Sequence, residues 1–220
     1  MKNPKDLLNP NFYIFSKFLM GGDIILEVSE RKEDPRSLFQ RLFRQSYFEV
    51  VHAGIMSDCN NLIEAGLTKC NIRLKLYYHF KRAANGRGIY SDFIVFRAIN
   101  SQMAEGAATG AQLLFDIHNA HDSVGYPSNL LKLAPSVMLP RGKPQSIDAM
   151  EKIYQKIINS KKSPMFCSQL VVYIYQWVIT QMGRQAKEIF NIDANRASPA
   201  RLASMLAESS RFTNLGILML

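Results

Sequence analysis

The stretch Ser163-Pro164-Met165-Phe166-Cys167-Ser168-Gln169-Leu170-Val171-Val172-Tyr173-Ile174-Tyr175-Gln176-Trp177-Val178-Ile179 decides how this chain of 220 residues is read. Ser163 suits an N-cap and Pro164 the first helical position, so the stretch predicts a helix running to near Gly183. From Phe166 onward it is apolar nearly all round, and a helix without a polar face belongs in the middle of a domain. Its first turn holds Cys167. Unpaired backbone N–H groups and the positive end of the helix dipole favour a thiolate at that place. An unperturbed thiol, with a pKa of about 8.5, is only slightly ionised at neutral pH, so placement of this kind matters.

A nucleophilic thiolate needs a proton acceptor, a group that orients the acceptor, and donors for the oxyanion. Residues 48–56 read as a strand carrying His52, with Ala53-Gly54 after it. Asn60-Asn61 marks a turn, and residues 62–65 read as a second strand of a hairpin, carrying Glu64. His52 is the natural acceptor and Glu64 the orienting carboxylate. The Cys167 backbone N–H is a candidate oxyanion donor. Taken alone, the residue types leave a plainer reading open, in which Cys167 is a core thiol, His52 is structural and Glu64 is a surface carboxylate.

Outside this set, Ile24-Ile25-Leu26-Glu27-Val28 reads as a buried strand entered through Gly21-Gly22-Asp23. Residues 35–46 read as a helix, with Leu38, Phe39, Leu42 and Phe43 on one stripe and Arg36, Arg41 and Arg44 among them. Residues 72–80 alternate apolar and basic side chains, and 93–97 form another strand. Residues 101–117 read as a helix weakened by Gly106 and Gly110. Residues 124–143, with three prolines, are loop; 147–158 form an amphipathic helix, and Ser198-Pro199 opens a last one over 200–207.

The order of these pieces resembles a known family. Gly22-Asp23-Ile24-Ile25-Leu26, then His52-Ala53-Gly54-Ile55, Ile63-Glu64-Ala65 and Cys167-Ser168-Gln169-Leu170-Val171 are similar to the permuted papain-like amidases of the YiiX/YaeF type. These are related to NlpC-type cell-wall peptidases and, more distantly, to lecithin:retinol acyltransferase. Ile94-Val95-Phe96-Arg97 and Ser198-Pro199-Ala200-Arg201-Leu202-Ala203 fit the same order, so the resemblance covers about residues 20–207. Two positions depart from the pattern: Gln169 stands where the family usually has Glu, and the tyrosine segment reads Gly125-Tyr126-Pro127-Ser128.

The resemblance implies one α+β domain over 1–220, with a small antiparallel sheet packed on a central helix that carries the nucleophile. It implies a cysteine hydrolase, amidase- or peptidase-like, in which Cys167 attacks, His52 is the base and Glu64 orients it, through a thioester acyl-enzyme. Tyr126 is a candidate substrate contact. Substrates would be peptides, amides or lipid-acyl groups, and no cofactor is implied. Two alternatives stand beside this: an acyltransferase or lipid ester hydrolase at a membrane surface, and a catalytically silent binding protein on the same fold.

Composition sets the outer bounds. Apolar residues make up 47% and charged residues 20%, the range of globular chains. The three cysteines, Cys59, Cys70 and Cys167, have no CxxC spacing, which argues against a disulfide framework or a zinc ribbon. Cys59 and Cys70 read as buried spectators. His118 and His121 form an H-x-x-H pair without the carboxylate of a zincin, so no metal is expected. The net charge of +9 is concentrated in 69–97 and 141–162. That charge favours anionic partners such as a membrane surface, while no nucleic-acid motif accompanies it. With no apolar run approaching the ~18 residues of a membrane span and no signal peptide, the expectation is a cytoplasmic protein or one exported by a specialised route.

Overall fold

A computed structural model of the chain describes residues 13–29, 40–41, 45–47, 49–65, 74–75, 91–121, 124–125, 136, 138–159 and 163–219. The architecture is α+β. Strands β1 (Tyr13–Phe15), β2 (Ile24–Ser29), β3 (Val50–Met56), β4 (Asn61–Ile63), β5 (Leu74–Lys75), β6 (Ser91–Ala98) and β9 (Phe212–Met219) form one sheet, in the order β1-β9-β6-β2-β3-β4-β5. A two-stranded ladder joins β7 (Val124–Gly125) to β8 (Ser163–Pro164). The helices are α1 (Ser101–His121), α2 (Ile147–Ile158), α3 (Cys167–Gln181) and α4 (Pro199–Glu208). Among the described residues no helix is long and apolar enough to cross a membrane.

The sheet is mixed where the sequence pattern predicts a small antiparallel one. All its neighbouring strands are antiparallel except β1, which runs parallel to β9 in the register Tyr13↔Ile217 and Phe15↔Met219. Neither β1 nor β9 stands out in the sequence. β1 is three residues long, and the alternation of β9 is broken by Gly216 and by a bulge opposite Val95/Phe96.

β2 is the spine of the sheet, paired with β3 on one side and β6 on the other, and all six of its residues are buried. Side chains alternate across it. Ile24, Leu26 and Val28 join a large core with the helices, whereas Ile25 packs with Met56, Leu62, Phe93 and Val95 in a smaller cluster. The turn into β2 is tied down twice. Buried Asp23 receives Arg97 Nε and Nη2, both at 2.7 Å, and the N–H of Met20 at 2.9 Å. Gly22, at φ 85°, presses so close to α1 that a Cβ would sit 2.3 Å from the Ala104 carbonyl oxygen, which only glycine permits.

α3 occupies the centre, as an all-apolar helix must: thirteen of its fifteen residues are buried, so it has no solvent face. It packs on α1 and β3, and the Tyr175 hydroxyl donates to the Gly22 carbonyl at the mouth of β2. Of the predicted 35–46 helix, 40–41 and 45–46 lie among the described residues; 40–41 are helical, whereas 45–46 are coil and turn, so the helix does not reach its predicted end. The predicted 72–80 strand is described only at β5.

Candidate active site

α3 begins at Cys167, four residues after the predicted cap. Ser163 and Pro164 are extended instead and pair in parallel with Val124 and Gly125. The start is set from inside the helix: Gln169 Oε1 accepts the Phe166 N–H at 3.2 Å, closing half of a capping box three residues ahead of itself. The first intrahelical bond runs from the Leu170 N–H to the Phe166 carbonyl at 2.9 Å. Cys167 is therefore the first helical residue, and its own N–H has no intrahelical acceptor.

His52 lies in the middle of β3. The ladder with β2 shifts between Glu27↔His52 and Val28↔Val50, leaving Val51 as an extra residue immediately before the histidine. A bulge there bends the strand and re-aims the side chain that follows. At Gly54 the neighbouring β4 comes in close, and a Cβ would meet Leu62 Cδ1 at 2.8 Å and the Ile63 carbonyl oxygen at 3.0 Å. That approach carries Glu64, just past β4, to His52.

The three side chains converge. His52 Nε2 and Glu64 Oε2 are 2.7 Å apart, with side-chain exposures of 15% and 7%. Cys167 lies near enough for its charge and hydrogen-bonding capacity to act on the imidazole. Cys167 is 2% exposed.

Electrostatics favour the charge-separated pair. Burial opposes ionisation of Cys167, but the His52 charge beside it, the hydrogen bond from His52 and the backbone N–H groups of Ala53 and Ser168 together lower its pKa below the usual thiol value. Burial likewise works against a charged His52, yet the negative charges of Cys167 and Glu64 and the hydrogen bonds to both hold its pKa well above the ordinary imidazole range. A thiolate facing an imidazolium is the arrangement of an activated cysteine nucleophile.

A polar network that sequence reasoning missed supports the helix start. Gln169 Nε2 donates to Asn195 Oδ1 at 2.6 Å, and Asn195 Nδ2 donates to Asp193 Oδ1 at 3.2 Å. Beside it, Ser168 Oγ donates to the Ala197 carbonyl at 2.6 Å. The cap of α4 is linked to the histidine strand as well, because Gln40 Oε1 accepts from Ala200 N–H at 3.0 Å while its Nε2 donates to the Val50 carbonyl at 2.8 Å. Only Gln169, as a departure from the family pattern, gave any signal in the sequence.

The remaining candidates are placed as follows. Tyr126 and Cys70 lie outside the described residues, as do the side chains of His118 and His121 at the end of α1. Cys59 is exposed, not buried: it sits in the β3–β4 turn, where Asp58 Oδ1 accepts the N–H groups of Asn60 and Asn61 and turns the thiol outward. A groove of about 510 Å³ lined by Ile99, Met103, Met182, Arg184 and Arg211, among others, lies at the far end of α3 and does not include the three converging residues. No family model and no curated protein matches the chain, so the site is read from its geometry.

Proposed function

We propose that this chain is a cysteine-dependent hydrolase of permuted papain-like type, amidase- or peptidase-like, with Cys167 as nucleophile, His52 as general acid–base and Glu64 as orienting carboxylate. One observation carries the reading: a single imidazole bonded to Glu64 through Nε2 and close enough to Cys167, the first residue of a buried helix, for each to shift the other's ionisation.

In this mechanism the thiolate attacks the carbonyl carbon of an amide or ester, and the former carbonyl oxygen takes up the negative charge. The Cys167 N–H at the helix start is placed to donate to that oxygen. The intermediate collapses as His52 gives its proton to the leaving nitrogen or oxygen, leaving a thioester on Cys167. Neutral His52 then removes a proton from water, the hydroxide oxygen adds to the thioester, and the acid product leaves as sulfur regains its negative charge. With a different acceptor in place of water the same steps give an acyltransferase, which the related lipid-acting enzymes make a parallel outcome. The near-complete burial of Cys167 favours, as a second reading, a binding protein that keeps the ion pair without turnover.

Alkylation and acyl trapping separate the readings. An active thiol reacts with iodoacetamide well below pH 8, at a rate that falls in His52→Ala, and activated amide, ester or thioester substrates leave an acyl mass on Cys167 that is absent from Cys167→Ala. A thiol that reacts only above about pH 8.5 and ignores His52→Ala removes the enzyme reading. Alkylation dependent on His52 but with no acyl mass from any of the three substrate classes favours the silent binding protein.

A further inference from the structure

The N-terminal edge of the sheet carries a surface that the cysteine chemistry does not use. Tyr13, Phe15, Phe18 and Met20 are 54%, 49%, 58% and 57% exposed. Single exposed apolar residues need no explanation, but four large ones within eight positions do. In β1, Ile14 turns into the protein and leaves Tyr13 and Phe15 on the opposite face. The register with β9 sets Met219, also exposed, beside Phe15, so these side chains share one face of the sheet edge. Lys17 joins the parts, its Nζ lying 5.9 Å from the Phe15 ring centroid and 5.1 Å from that of Phe18.

Within the segment 13–22 the charge has one sign. Residues 13–22 contain Lys17 and no carboxylate. The first acid beyond them, Asp23, is fully buried and held by Arg97. The patch is therefore aromatic, apolar and cationic, on a chain of net charge +9. Aromatic rings settle at the headgroup level of a bilayer, and a lysine among them lays its alkyl stem along the apolar surface with its ammonium among lipid phosphates. A second copy of the chain fits less well, because it would bring a like-charged Lys17 to the same place, and a three-residue edge strand offers few backbone bonds for strand addition.

We propose that Tyr13, Phe15, Lys17, Phe18 and Met20 form a docking surface for an anionic phospholipid bilayer. The assignment is independent of the reading of Cys167.

The test is co-sedimentation of the full chain with phosphatidylcholine vesicles, with and without phosphatidylserine, at low and high salt. Binding is expected to phosphatidylserine vesicles at low salt and to weaken at high salt. Phe15→Ser with Phe18→Ser is expected to weaken it by about tenfold or more, and Lys17→Glu by about tenfold. Because all three side chains are exposed, the variants should melt at the wild-type temperature; should the double variant fail to fold, Lys17→Glu and Met20→Ser give the same comparison. No binding to anionic vesicles at low salt, or binding that these variants leave unchanged, overturns the assignment. So does a dimer in light scattering, without lipid, that Phe15→Ser with Phe18→Ser dissociates.

Discussion

Replacing Glu64 by glutamine keeps the shape of the side chain and removes the charge that faces His52 Nε2. An amide oxygen can still accept from the ring, so orientation survives while the support for an imidazolium weakens. Under the proposed function, Glu64→Gln is expected to lower kcat/KM for acylation by about 10- to 100-fold and to move the alkaline limb of its pH profile to lower pH. A carboxylate that served packing alone would leave that limb in place.

The same pair fixes how stability depends on pH. The folded pKa of His52 is raised, so its contribution is complete below the unfolded value of about 6.5 and is lost as pH climbs through the folded one. The folded pKa of Cys167 is lowered, so its contribution is complete above the unfolded value of about 8.5 and is lost as pH falls through the folded one. The ion pair thus stabilises the fold most between the two folded pKa values. Urea unfolding of the wild type against Cys167→Ala with His52→Gln is expected to show a stability difference that peaks inside that window and declines on both sides.

At the level of elements, the decisive detail is how α3 starts. Gln169 accepts from Phe166 N–H and donates to Asn195, two tasks that need an amide. A glutamate keeps the first and loses the second, setting two acceptor oxygens against each other where 2.6 Å now separates donor from acceptor. If Asn195 turned its amide to compensate, its oxygen would face Asp193 instead. Gln169→Glu is expected to cost on the order of 1–3 kcal/mol in thermal or urea unfolding, and Asn195→Asp in the same background to add to the loss. The helix start shows where sequence reading runs out. Cys167 and its buried helix are legible from the apolar run and the strand positions of His52 and Glu64 from the hairpin pattern, but only the family resemblance implied that the three act together. Pro164 looked like a first helical residue because local propensity favours it there, whereas a side chain three residues inside the helix and a distant asparagine chose the boundary. Cys59 was misplaced for a related reason: a small apolar side chain reads as buried, but Asp58 organises a polar turn around it.

Over the whole molecule, the order of strands was the least legible feature, since β1 and β9 acquire their roles only through each other. A well-anchored long-range link is Arg97, which ties β6 to the turn ahead of β2 through Asp23 and through the Phe18 carbonyl at 2.7 Å. Arg97→Met removes the cation and leaves a fully buried carboxylate behind. The expected loss is about 3 kcal/mol or more in urea unfolding, and Asp23→Asn in the same chain recovers part of it by removing the stranded charge.

The parallel pairing of β1 with β9 has a consequence for biosynthesis. Tyr13–Phe15 leaves the ribosome early, but the strand it docks against, and the one that separates it from β6, is Phe212–Met219. At ~5–20 residues per second the first strand waits on the order of ten seconds or longer for its neighbour, with Ile14 still uncovered. A nascent chain stalled before residue 212 therefore lacks two strands of the sheet and presents β6 as a raw border. Such a chain is expected to be cleaved rapidly in protease pulses between Tyr13 and Phe18, and protection of that segment should arrive only once residues 212–219 are available to pair with it.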